Sequence, residues 1–146
     1  MRPSDVPDGP LLVDTDVLSY VHTQSGRYAD FEPLLAGHLL AISFATYAEA
    51  LGHGHQAGLG SRRMDALRKT LARYVVLPYS ADVAETWARL APKVRGHLHA
   101  GGVNDLWTAA VAVAYQPQLP VVTNNLGDFR AIQIHLPDLV VIHPDA

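Results

Sequence analysis

Apolar residues along this chain gather into short runs and helical stripes separated by turn residues. Leu11-Leu12-Val13 is a run of strand length that stops at Asp14, and Leu39 to Ser43 is a second. Such short, continuous apolar runs read as strands buried on both faces. Ser43 is placed to cap a helix in which Phe44, Tyr47, Ala48 and Leu51 recur at i, i+3, i+4 and i+7; Gly52 and Gly54 are expected to loosen its end. Ser61 to Val75 predicts a stronger helix, and Val75-Val76-Leu77 a third strand. Ser80 caps a helix that turns Val83, Trp87, Leu90 and Ala91 inward and stops near Pro92, with a loop over residues 92–103. Asn104 is read as the cap of a helix from Asp105 to about Tyr115, apolar almost all round and therefore buried. Residues 120–123 and Leu139 to Ile142 complete the strands. Strands alternating with helices predict an α/β fold with a mainly parallel sheet. Met1 to Pro10 contains Pro3, Pro7 and Pro10, so residues 1–9 read as a flexible leader and residues 10–146 as one domain.

Composition narrows the chemistry. The 146 residues are 49% hydrophobic and 17% charged, which suits a packed core. With no cysteine, a metal must be held by carboxylate, histidine, backbone or water. No apolar run reaches the ~20 residues of a spanning helix, and the first residues lack a secretion signal; a cytoplasmic location with no membrane association is the expectation. The net charge of −3 is unlike the basic balance of a protein that holds nucleic acid by electrostatics alone.

The acids fall where such a scaffold collects ligands. Asp14 and Asp16 follow the first strand, Asp105 begins the buried helix, and Thr123, Asn124, Asn125 and Asp128 follow a later strand. Sites in open α/β sheets form beyond the carboxyl ends of the strands. Glu49 projects from its helix beside the small residues Ala45 and Gly52. Asp14, Glu49, Asp105 and Asp128 can therefore converge, an oxygen-rich set that suits Mg²⁺ or Mn²⁺. One ion, or two about 3.5–4 Å apart, would activate water and offset charge on a phosphodiester. Thr46, Thr123, Asn124 and Asp16 are read as supports for these ligands. Each acid also has a structural reading, as a turn, a cap or a helix-dipole partner.

Four stretches resemble the ordered motifs of PIN domains, especially the VapC toxins of toxin–antitoxin systems. They are Leu11 to Ser19 around Asp14, Ile42 to Ala50 with Ser43, Thr46 and Glu49, Asn104 to Ala110, and Val121 to Phe129. The resemblance covers about residues 10–143. It implies a three-layer fold with about five parallel strands and divalent-metal-dependent endoribonuclease activity at Asp14, Glu49, Asp105 and Asp128. It also implies dimerisation and neutralisation by a VapB-like antitoxin. Asp16 stands where the family often has Asn, and Ala50 where it often has Leu.

Alternatives in other classes are a PIN nuclease of RNA maturation, a catalytically silent binding module, and an aspartyl-nucleophile phosphatase. The last is suggested by Asp14-Thr15-Asp16-Val17, which fits the start of the haloacid dehalogenase family. That chemistry also needs a lysine, and the only two are Lys69 and Lys93. Arg62, Lys69 and Arg73 fall on one helix face, and Lys93 and Arg95, with His97 and His99, lie just before Asp105; both groups are candidates for RNA or antitoxin contact. His53 and His55 are read as a helix end or a subunit contact.

Overall fold

A computed structural model describes residues 1–99 and 102–146. Five strands form one sheet: β1 (Leu11–Val13), β2 (Leu40–Ser43), β3 (Val75–Leu77), β4 (Val121–Val122) and β5 (Val141–Ile142). Their order is β3-β2-β1-β4-β5, and every neighbouring pair is parallel. Parallel strands need crossovers, and among the described residues seven α-helices supply them: α1 (Thr15–Thr23), α2 (Tyr28–Leu35), α3 (Phe44–Gln56), α4 (Ser61–Leu71), α5 (Ala81–Val94), α6 (Val103–Ala114) and α7 (Leu126–Gln133).

Side chains alternate across each strand, so the sheet divides the core in two. Leu11, Val13, Ile42, Val122 and Ile142 face one way and pack with Val17, Leu18, Phe31, Leu34, Met64, Leu67 and Leu71. Leu12, Ala41, Val121 and Val141 face the other way and pack with Val83, Ala109, Val111, Phe129 and Ile132. This is the expected three-layer arrangement. It also explains why the strands read as continuous apolar runs: both faces are covered. Because all five strands run the same way, their carboxyl ends share one edge. No helix among the described residues is long and apolar enough to cross a membrane.

Several boundaries differ from the sequence reading. The leader is not loose: Val6 is buried in the first core, and the ring Nδ1 of His38 bonds Gly9 O at 2.8 Å. Helix α3 continues through Gly52 and Gly54. Gly54 is needed there because a Cβ would stand 2.7 Å from Met64 Sδ, so the glycine admits α4 rather than ending α3. Helix α4 stops at Leu71, short of Val75. Helix α5 runs through Pro92 to Val94; the proline is exposed, and the Ala88 carbonyl it leaves without an amide partner is on the same wet face. Helix α6 starts at Val103, which places Asn104 inside it rather than at its cap. Helices α1, α2 and α7 were not anticipated. Part of the loop read over residues 92–103 lies outside the described residues.

Candidate active site

Asp14 leaves β1 at the carboxyl edge and caps α1. It is only 2% exposed, and both its oxygens are held. Oδ1 accepts the Thr15 amide and Oδ2 the Thr123 hydroxyl, each at 2.9 Å. The Thr123 oxygen in turn accepts the Asn125 amide at 3.0 Å, and Asn125 Nδ2 lies 3.3 Å from both oxygens of Asp105. On the other side, the Thr15 hydroxyl donates to Thr46 Oγ1 at 3.1 Å and accepts from Asn104 Nδ2 at 2.8 Å. One hydrogen-bonded chain therefore ties β1, α1, α3, α6 and the end of β4 together.

A cavity of about 120 Å³ opens at this junction, lined by Asp14, Thr15, Asp16, Glu49, His99, Asn104, Asp105 and Asn125. Water occupies about 30 Å³ per molecule in the liquid, so the space suits an ion with a few waters. Larger depressions of about 230 and 530 Å³ lie elsewhere, but no carboxylate lines either one. Chemistry rather than size marks the acidic cavity. Asn104 Oδ1 is buried without a donor, an orphaned acceptor in the wall. Oxygen donors, negative charge and an unmatched acceptor together fit a hard divalent cation.

Electrostatics point the same way. Burial, then the neighbouring Asp14 charge and the hydrogen bonds that a protonated Asp105 donates to Asp128 and Asp14, push the Asp105 pKa up to about 10. Burial also raises Asp14, against the opposing pull of its hydrogen bonds. Glu49, its side chain 35% exposed, is raised by burial and partly offset by His53, whose Nε2 lies 3.9 Å away. Asp128 behaves differently. Burial opposes its ionisation, but bonds with Asp105 and with the amide and ring of His99 outweigh this and hold its pKa low. Burial and its acid neighbours thus favour the protonated form of Asp105.

Asp14, Glu49 and Asp105 thus meet around one cavity, and Asp16 joins them. Asp128, in the first turn of α7, is next to Asp105, but His99 covers it: the amide donates to Oδ1 at 3.2 Å, and ring Nδ1 bonds Oδ2. Thr46 and Thr123 brace the site as described. Asn124 does not. Its Nδ2 donates to Tyr20 OH at 3.0 Å and its Oδ1 accepts from Arg27 at 3.1 Å. Asn124→Ala should therefore cost about 1 kcal/mol of stability and leave site chemistry unchanged; a melting curve beside a cleavage assay checks this. Sequence reasoning gave Thr15 no role, placed Asn125 at this edge without one, missed the placement of His99 and read Asn104 as a helix cap.

The basic residues are dispersed. Lys69 and Arg73 line a depression with His38, Leu39 and Leu40 at the amino end of β2, the sheet edge opposite the acids. Arg62 is exposed at the start of α4 and Lys93 near the end of α5. Arg95 alone among these borders the site, its guanidinium 5.7 Å over the Trp87 ring in a depression shared with His99. Neither lysine lines the acidic cavity, so the phosphatase alternative lacks its cation.

Comparison with known proteins agrees with this architecture. The PIN domain family matches residues 11–134. The chain is 36% identical over 129 residues to Ribonuclease VapC5 of Mycobacterium tuberculosis, covering 83% of this chain and 86% of that protein. The crystal structure of VapBC-5 from Mycobacterium tuberculosis, a member of the VapBC family of toxin–antitoxin systems, aligns with a TM-score of 0.61 at 29% identity, over 91% of this chain and 95% of that one. VapBC2 from Rickettsia felis, bound to a DNA fragment from its promoter, has the same fold: TM-score 0.72 and 24% identity over 91% and 97% of the two chains. A sheet of five parallel strands, acids gathered at its carboxyl edge, and a family match over most of the length agree: the chain belongs to the PIN-domain family.

Proposed function

We propose that this chain is a divalent-metal-dependent endoribonuclease that acts as a VapC-type toxin and is neutralised by a VapB-like antitoxin. The observation that carries the reading is the convergence of Asp14, Glu49 and Asp105 on one cavity beside Asp128, where burial and the neighbouring acids raise the Asp105 pKa. Such a cluster is unfavourable unless a cation occupies it. The ribonuclease name of the relative from Mycobacterium tuberculosis and the toxin–antitoxin setting of its structural relatives support the activity and the partner.

Asp14, Glu49, Asp105 and Asp128 would hold Mg²⁺ or Mn²⁺, one ion or two. When bound, the ion supplies an activated water and charge neutralisation at the phosphodiester. The chain's own part is positioning. Thr15 and Thr123 fix both oxygens of Asp14, and Asn125 fixes Asp105, so the negative charge is aimed before substrate arrives. In-line attack forms a bond from water oxygen to phosphorus and breaks the bond to O3′, which leaves with a proton. The products are a 3′-hydroxyl and a 5′-phosphate.

Self-association has a ready surface. Val75 and Val76 on the edge strand β3 are exposed, as are the nearby rings of Phe44 and Tyr79, which meet at a tilt of 58°. A homodimer would cover them.

Incubating the purified chain with cellular RNA, with Mg²⁺ or EDTA and with or without the co-expressed product of a neighbouring antitoxin gene, tests the reading. Cleavage should require the metal, yield 5′-phosphate ends and stop in the complex. Cyclic 2′,3′-phosphate ends or full activity in EDTA would sink it.

A further inference from the structure

We propose that His99 is itself a metal ligand, forming with Asp105 and Asp128 a nitrogen-containing set that prefers first-row transition ions to Mg²⁺. The inference rests on the reading of the acid cluster as a metal centre and adds a residue type that the carboxylate set lacks.

Geometry comes first. His99 Nδ1 and one oxygen each of Asp105 and Asp128 lie within 4.8 Å of one another. An ion with ligands at about 2.0–2.2 Å can be reached by all three after small side-chain rotations. Nδ1 of His99 already faces Asp128 Oδ2.

The histidine is also held from behind. Its amide donates to Asp128 Oδ1 at 3.2 Å, and the Gly102 amide donates to His99 O at 2.9 Å. A Cβ on Gly102 would stand 2.6 Å from Leu98 Cβ and 3.0 Å from Asp128 Oδ2, so the close approach to Leu98 calls for glycine and brings the backbone up against this carboxylate. The side chain of His99 is 53% exposed while that of Asp128 is 10% exposed. The imidazole is thus the solvent-side wall of Asp128, and an ion that reaches the carboxylate meets the ring.

Ligand chemistry then sets the preference. Mg²⁺ is hard, demands near-ideal octahedral oxygen coordination and gains little from imidazole. Transition ions accept imidazole nitrogen readily, with affinity rising along the Irving–Williams order.

The test uses Mn²⁺ as probe on the purified chain. Electron spin-echo envelope modulation of the Mn²⁺-loaded protein should show coupling to a bound imidazole nitrogen, and His99→Gln should lose it. The glutamine retains a donor for Asp128 at an exposed position, and a melting curve verifies the fold. Calorimetry should find Mn²⁺ affinity about tenfold weaker or worse in the variant, with Mg²⁺ affinity, measured by competition, little changed. Absence of nitrogen coupling in the wild type, or equal losses for both ions, overturns the proposal while the carboxylate site survives. A gain in Mn²⁺ affinity also overturns it and makes His99 a plug over Asp128. If neither ion binds the wild type, the metal reading falls with it. None of these outcomes depends on RNA cleavage.

Discussion

Asp14→Asn is expected to abolish RNA cleavage while the chain stays folded. The carboxylate is buried with its two oxygens facing different donors, the Thr15 amide and the Thr123 hydroxyl. Asparagine can present its carbonyl oxygen to the amide and donate its amide group to the threonine oxygen, since a hydroxyl both donates and accepts. Shape and bonding survive, and one negative charge is lost from the centre of the cavity. Removing a single electrostatic partner of a transition state slows reactions by about 10²–10³-fold, and loss of the ion would add to that. Cleavage assays with matched melting curves decide the matter. A variant that folds and still cleaves at wild-type rate would leave Asp14 as nothing more than the cap of α1.

Asp105→Asn is expected to be just as inactive and, with EDTA present, to melt above the wild type. The unfolded carboxyl titrates near 3.8, whereas burial and the neighbouring acids carry the folded value to about 10. Between those two values the folded form binds more protons than the unfolded chain. Metal-free stability therefore falls as pH rises through that window, and no penalty remains below it. Asp14, also raised by burial, has the same sign. Asp128, held low by Asp105 and His99, has the opposite one, but only below the ordinary carboxylate range, so above that range the falling stability belongs to the raised acids Asp105, Asp14 and Glu49.

An asparagine at position 105 needs no proton to be neutral, and its amide can still donate to the acids beside it. At this chain length each kcal/mol relieved raises Tm by about 2–4 °C. Mg²⁺ should stabilise the wild type by RT ln(1 + [L]/Kd) and flatten its pH dependence, with a much smaller response in the variant. Thermal melts across pH, in EDTA and in Mg²⁺, give the answer. If the variant melts lower in EDTA and both proteins gain equally from Mg²⁺, Asp105 is a helix-terminal charge and not a ligand.

These expectations draw on two levels of information. The strands were legible along the chain because a parallel sheet covered on both faces demands unbroken apolar runs, as at Leu11-Leu12-Val13. Ser43 and Ser80 announced their helices because each cap is a local bond, to the Thr46 and Val83 amides. The acids could be assigned to one edge because parallel strands bring their carboxyl ends together. Helices α1 and α7 were not legible. One begins Thr-Asp-Val and the other Leu-Gly-Asp, with weak intrinsic preference, and tertiary packing of Val17, Leu18, Phe129 and Ile132 stabilises them instead.

The site's finer structure belongs to tertiary contact alone. Asn124 and Asn125 are adjacent and chemically identical, yet Tyr20 and Arg27 draw the first away while the second bonds Asp105. The Asp105 pKa is raised because burial and two acids from other elements act together. His99 covers Asp128 across 29 residues of chain. Periodicity along a sequence reports which face a residue occupies within its own element. Hydrogen bonds and desolvation between elements exist only once the chain has closed on itself, and here they decide which side chains the cavity uses and in what charge state.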